Sequence, residues 1–399
     1  MIKTSDSRGT DKLLAIEGLR WLATISVLFW HYQHFAFVGN SPVDFVRGEL
    51  PYSSLLFPFY EAGEYAVWIF WCISGFIFFW KYCDAVAERS VSGWTFFVFR
   101  LSRLYPLHAV TLLLVALLQP IYFARNGTFF VYQNNDIQHF LPQLLMASNW
   151  LPTQGETFNG PIWSVSVEVL VYAFFFVTLR YATTSPLFNL VVVAACVNLP
   201  LPVCNCLALF YAGGLAAMGR RAMLHLQRRL AVELVAWCAS IILPIAFFSV
   251  FPIEVFRARF SPAVLLFLVA YTPILLFGLS ARIALPRPIE SLLTAAGNVT
   301  YSAYLLHFPI QLLTAISYSF ARRPIPYRDD TFCAAFVIVT LLAAHLTYRY
   351  FEAPAQAFIR GRLFTRRRAE LNDVVMPGRC ESTEPGISRV RLLASRAPE

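Results

Sequence analysis

The 399-residue chain reads as an all-α, polytopic membrane protein with about ten transmembrane helices and both termini in the cytoplasm. Three observations predict this. The chain is 58% hydrophobic and 16% aromatic but only 14% charged, which is wrong for a water-soluble globule of this length. Its apolar residues gather into runs of about twenty, and twenty helical residues rise about 30 Å, the thickness of a bilayer's hydrocarbon core. Leu, Val, Ile, Phe and Ala fill both faces of each run, without the period-two alternation of a membrane β-barrel, so the spans are helices.

Taken in order, the helices are expected near 19–38, 62–82, 104–123, 160–180, 186–200, 203–219, 230–250, 261–281, 297–320 and 331–352. The first run follows Lys3, Arg8 and Lys12 but is too long for a signal-peptide core and lacks a small-residue cleavage site after it, so it is expected to be retained. The fifth and sixth runs are short and joined by Leu199-Pro200-Leu201-Pro202, consistent with a hairpin that does not fully cross. The longest connection, about 124–159, contains an amphipathic stretch (Ile137, Phe140, Leu141, Leu144, Leu145) expected as a short helix on the outer surface. Residues 1–18 form a cytoplasmic lead, 19–354 the transmembrane domain, and 355–399 a basic, disordered cytoplasmic tail with Arg360, Arg362 and Arg366 to Arg368 at the anionic leaflet.

The net charge of +9 reports topology rather than nucleic-acid binding, because the basic residues sit between apolar runs and in the tail. With cytoplasmic termini, fifteen lysines and arginines before the tail fall inside and seven outside, as the positive-inside tendency requires. The eight cysteines are scattered without CxxC pairs or interleaved histidines, so no metal is expected. No internal repeat is visible, which weighs against an inverted-repeat transporter.

Charged groups at mid-depth cost about 2.5 to 3.5 kcal/mol on insertion scales, so intramembrane ionisable residues are functional candidates. From the helical rise, His31 stands about 16 Å above Arg20, Glu168 about 10 Å below the outer face, Ser74 about 17 Å into the second span and His307 about 15 Å into the ninth. A base, a carboxylate and hydroxyls at similar depth are what hydroxyl deprotonation and acyl transfer require. At the cytoplasmic mouth, Arg20 joins Arg100-x-x-Arg103, whose spacing puts two guanidinium groups on one helical face, a phosphate-binding arrangement. Snorkelling anchors are the alternative reading of these arginines. Ser74-Gly75 likewise reads either as a reactive hydroxyl or as a small-residue helix contact. His108 and His345 are read as packing residues, and Tyr301 and Tyr304 as wall or interfacial residues.

These pieces occur as Glu17-Gly18-Leu19-Arg20 with His31, Ile73-Ser74-Gly75-Phe76, Arg100-x-x-Arg103-x-Tyr105-Pro106, Trp163-Ser164-Val165-Ser166-Val167-Glu168, Thr300-Tyr301-Ser302-Ala303-Tyr304-Leu305-Leu306-His307-x-Pro309 and Phe351-Glu352-x-Pro354. In that order, across residues 13 to 354, they resemble the acyltransferase-3 family of integral membrane O-acyltransferases. The resemblance implies ten transmembrane helices and transfer of an acyl group, most often acetyl, from cytoplasmic acyl-CoA to a hydroxyl. The implied acceptor is an extracytoplasmic or membrane-associated carbohydrate or glycosylated product, and the implied setting is a bacterial inner membrane. Glu17 stands where the family often has Asp, which keeps the carboxylate, and Trp21 where Gly is frequent, which alters the mouth. With about 45 residues after Pro354, the chain resembles the stand-alone type without a fused hydrolase-like domain.

The expected mechanism has Arg20, Arg100 and Arg103 gripping the donor's phosphates, His31 as base and Glu168 orienting its imidazole in the manner of a triad acid. Ser74, Ser164 or Ser166 would donate to the thioester oxygen, and His307 would be a structural partner or second base. A covalent acyl-histidine relay stays open, as does a second functional class, a proton-coupled transporter or flippase for a polar lipid or glycan. Surface glycan, lipid-linked saccharide and macrolide-type metabolite all remain open as acceptors.

Overall fold

A computed structural model describes residues 13–151, 155–223, 229–257, 261–281 and 285–374. The basic residues Lys3, Arg8, Lys12, Arg228, Arg259 and Arg282 of the charge count lie outside the described residues, as does the tail from 375. Each of the ten expected runs is helical. In chain order the helices are α1 (Leu14–Tyr32), α2 (Ser53–Ala62), α3 (Ala66–Ala87), α4 (Gly93–Asn126), α5 (Ile137–Leu144), α6 (Ile162–Tyr181), α7 (Pro186–Cys196), α8 (Pro202–Met223), α9 (Arg229–Val250), α10 (Pro262–Leu279), α11 (Arg287–Phe320), α12 (Asp330–Thr347) and α13 (Ala353–Val374). The strands Phe37–Val38 and Ser41–Pro42 pair as a small antiparallel hairpin after α1. Among the described residues eight helical stretches are long and apolar enough to cross a membrane. The first helix has the length, about 28 Å at 1.5 Å per residue, but carries Glu17, Arg20 and His31 within it.

The differences from expectation have local causes. The second span begins earlier because α2 runs into α3 through one 3-10 turn, Gly63–Tyr65. At 34 residues each, α4 and α11 rise about 51 Å, so both project beyond a bilayer. Of the two short runs, α7 at 11 residues is too short to cross, whereas α8 at 22 is not. The short outer helix is present as α5, N-capped by Asp136, whose side chain accepts from the His139 amide. Asp136 also meets the His139 ring at 2.8 Å, and these bonds hold its carboxyl below the usual range.

The expected disordered tail is corrected over its first part. Pro354 falls in the opening turn of α13, where proline is tolerated, and the change of register is taken up by a π-helical turn, Tyr348–Glu352. The chain therefore continues as helix to Val374.

The core is aromatic. Phe78, Phe96, Phe175 and Phe210 pack ring against ring where α3, α4, α6 and α8 meet. The α3–α8 crossing is close because each helix offers a glycine to the other's backbone: a Cβ on Gly75 would lie 1.8 Å from the Phe210 carbonyl oxygen, and one on Gly213 2.0 Å from that of Cys72. The small-residue reading of the Ser74-Gly75 pair therefore holds for Gly75, and it fixes where Ser74 points.

Candidate active site

A cavity of about 130 Å³ opens among α1, α3, α4, α6 and α11, lined by Arg20, Arg100 and Arg103 together with Ser74, Glu168 and Tyr304. Its volume is similar to the ~150 Å³ cavities that accept a benzene-sized guest.

Arg20 is built in from two sides. Nη1 donates to Glu17 Oε2 at 2.9 Å, one helical turn back, and Nη2 donates to Thr300 Oγ1 at 3.1 Å. Gly297 makes room for this arrangement, since a Cβ there would overlap Glu17 Oε2 at 2.0 Å. Arg100 is held by its flat face, 4.3 Å from the ring centre of Phe78 and 4.8 Å from that of Tyr82, and its buried Nε has no hydrogen-bond partner. Among the described residues neither Arg100 nor Arg103 has an ion-pair partner within 4 Å. Guanidinium groups aimed into a cavity without carboxylate partners suit a polyanionic ligand.

On the α6 wall of the cavity, Tyr172 donates to Glu168 Oε1 at 2.6 Å, and Ser74 is hydrogen-bonded to the same carboxylate. Arg100 and Arg20 are its charged neighbours. Outside the cavity lining, Glu352 accepts from Ser302 at 2.5 Å and lies within electrostatic reach of Arg103 and Arg20.

The structure divides the four expected reactive residues into two pairs. Ser74 and Glu168 share the cavity, whereas His31 and His307 pack against each other, ring centres 4.8 Å apart and planes tilted by 33°, and do not line it. His307 is fully buried and neither of its ring nitrogens has a hydrogen-bond partner. It lies 6.0 Å from Tyr304, a cavity wall residue. His31 is partly exposed, and its Nδ1 lies 3.0 Å from the Val27 carbonyl oxygen. A carbonyl only accepts, so Nδ1 carries the hydrogen and Nε2 is the basic nitrogen of the neutral ring.

Two expected roles are corrected. The Nδ1 position that a triad acid would occupy is taken by Val27, and Glu168 is engaged by Tyr172 and Ser74, so Glu168 does not orient His31 in the manner expected. The serines are also committed elsewhere. Tyr304 donates to the Pro161 carbonyl at 2.7 Å, so at 2.8 Å Ser164 is the donor to Tyr304. Ser166 accepts from the Asn149 backbone amide and does not line the cavity. The arginines are the donors that remain facing the cavity.

Several partners were absent from the sequence reading, although helical spacing marks most of them. Tyr172 is four residues after Glu168, His34 three after His31 and Gln311 four after His307, each on its partner's face. Gln311 donates to the His31 carbonyl at 2.7 Å and takes His34 Nδ1 on its Oε1 at 3.2 Å, and the His34 ring lies 4.9 Å from His31. His108 is a packing residue as expected, bonded through Nε2 to the Gln143 carbonyl at 2.7 Å.

The family model described as an acyltransferase domain matches residues 13–348, which takes in every motif except the last, Phe351-Glu352-x-Pro354. A curated relative, "Acyltransferase MdmB" of Streptomyces mycarofaciens, is 30% identical over 166 residues. That match covers 41% of this chain and 38% of the relative, so the chain spans well under half the length of the curated relative it matches. No solved structure matches. With the family model covering most of the chain and the cavity lining, this protein belongs to the acyltransferase-3 family.

Proposed function

We propose that this protein is an acyl-CoA-dependent O-acyltransferase of a bacterial inner membrane. It would move an acyl group, acetyl by preference, from a cytoplasmic donor to a hydroxyl of an extracytoplasmic or membrane-associated carbohydrate or glycosylated product. The observation that carries this reading is a cavity lined by three arginines and the carboxylate of Glu168. A phosphorylated thioester needs cations for its carrier and donors where charge develops on its carbonyl, and this lining supplies both.

In this reading Arg100 and Arg103 hold phosphate at the mouth, while Arg20, fixed by Glu17 and Thr300, faces the thioester end. From beside the cavity, the Nε2 of His31 accepts the proton of the incoming hydroxyl as its oxygen attacks the thioester carbonyl, and the imidazolium passes that proton to the departing thiolate, which leaves as thiol. His307 backs the ring of His31, and Gln311 ties the end of α1 to α11 so that the base keeps its place. Glu168 anchors Ser74 and Tyr172 and partly balances Arg100 and Arg20, which keeps the cavity polar without an unpaired carboxylate.

The test is incubation of purified protein with labelled acetyl-CoA and a membrane extract as acceptor source. Protein-dependent thiol release is expected together with label in the extract; a protein that moves a polar lipid and releases no thiol would refute the reading.

A further inference from the structure

The cytoplasmic helix α13 carries a residue aimed at the same mouth. Arg360 donates from Nε to Ser102 Oγ at 3.1 Å and from Nη2 to the Phe99 carbonyl at 3.2 Å, with its guanidinium 4.9 Å from the ring centre of Phe99. Phe99 and Ser102 are the residues immediately before Arg100 and Arg103. The guanidinium of Arg360 is thus bolted onto the turn of α4 that bears both mouth arginines, within electrostatic reach of each. Among the described residues Arg360 has no carboxylate partner, and its Nη1 makes no hydrogen bond.

Bringing a third guanidinium to Arg100 and Arg103 costs repulsion, and among the described residues Arg360 brings no carboxylate partner of its own to offset it. Lys81, exposed at the end of α3, lies in the same field and adds to the cost. Two neutral acceptors hold Arg360 in place regardless, so the arrangement is built rather than incidental. A ligand carrying several phosphates would reverse the balance, since each arginine offers a fork of donors to phosphate oxygens.

We propose that Arg360 completes a three-arginine phosphate site with Arg100 and Arg103, and that this site takes the phosphorylated nucleotide end of the acyl donor while the cavity takes its thioester end. The proposal rests on the acyl-CoA reading above and adds a residue from beyond the 13–348 family match. Coenzyme A suits the arrangement, because its diphosphate and 3′-phosphate form one polyanionic end joined by a long neutral arm to the thiol. Arg360 is not part of the cavity lining and sits on the turn of α4 that carries Arg100 and Arg103, which suits it to the nucleotide end of the donor rather than to the thioester. An anionic lipid headgroup offers the same phosphate chemistry, and the test separates the two.

The experiment measures equilibrium binding of coenzyme A, 3′-dephospho-coenzyme A and pantetheine to full-length protein in discs of zwitterionic lipid. Arg360→Ala should weaken coenzyme A binding about tenfold, the loss of one charge-assisted hydrogen bond, and Arg360→Lys should recover part of it. Arg362→Ala, on the same helix but over the Phe358 ring, should change nothing. Pantetheine binding should be unaffected by Arg360→Ala; an equal loss for pantetheine would make Arg360 a structural clamp and overturn the proposal. If wild type binds coenzyme A and Arg360→Ala binds it equally well, the phosphate site is refuted and a lipid headgroup is the better occupant. If wild type itself fails to bind coenzyme A, the donor reading falls, and the proposal with it.

Discussion

The Tyr172 hydroxyl donates to Glu168 Oε1 at 2.6 Å, one helical turn along α6, and its ring stacks on Phe78 at 4.3 Å, the same ring that Arg100 packs against. The Arg100 guanidinium and the Glu168 carboxylate are therefore linked through the paired rings of Phe78 and Tyr172. Tyr172→Phe keeps the stack and removes only the hydrogen bond. A bond to a charged group contributes about 1.5 to 3 kcal/mol, so turnover should fall at least tenfold with the donor's apparent KM little changed. A change in KM alone would place Tyr172 in donor binding instead.

Arg100→Ala and Arg103→Ala should raise the apparent constant for acyl-CoA by about 1.5 to 3 kcal/mol each, with smaller effects on turnover. Arg100→Lys should rescue poorly, because a lysine cannot lie flat over Phe78 and Tyr82 as the guanidinium does. Unchanged constants in both alanine variants would reduce these residues to topology signals.

Gly75→Leu should abolish the folded protein rather than the chemistry. Its Cβ alone would sit 1.8 Å from the Phe210 carbonyl oxygen, so α3 and α8 must separate. Overpacking of this kind costs about 1 to 3 kcal/mol or more. Thermal unfolding in detergent should show a lowered midpoint or no folded fraction; an unaltered midpoint would contradict the close crossing.

The topology expected from the charge count is checked with single cysteines in place of Arg125 and Arg287, in a background lacking the native eight. An impermeant thiol reagent added to intact cells should label the first and spare the second. Labelling of the second would invert the assignment of the arginine mouth to the cytoplasm.

The helices were legible in the sequence because bilayer thickness fixes the length of an apolar run, and each of the ten expected runs is helical. Their ends were less so. Nothing in an apolar count marks where α4 and α11 leave the bilayer, and Pro354 looked like a terminus because a π turn that re-registers the ladder leaves no composition signal. In the site, helical rise put His31, Ser74, Glu168 and His307 at comparable depth, but depth is one coordinate of three. The rotation of each helix decided the pairing, joining Glu168 to Ser74 and Tyr172 and leaving His31 on Val27 and beside His307. Arg360 lay in a stretch read as tail and was expected at the anionic leaflet, whereas its side chain bonds to Ser102 of α4.

The central claim is that His31 removes a proton from an acceptor hydroxyl while the arginines hold a thioester donor. The most direct measurement compares wild type with His31→Ala for acetyl-CoA-dependent thiol release by purified protein in the presence of membrane extract, alongside coenzyme A binding by each. Loss of a base removes transition-state help and not ground-state contacts, so release should be abolished in the variant while its binding matches wild type. Thiol release by His31→Ala at the wild-type rate would contradict the account.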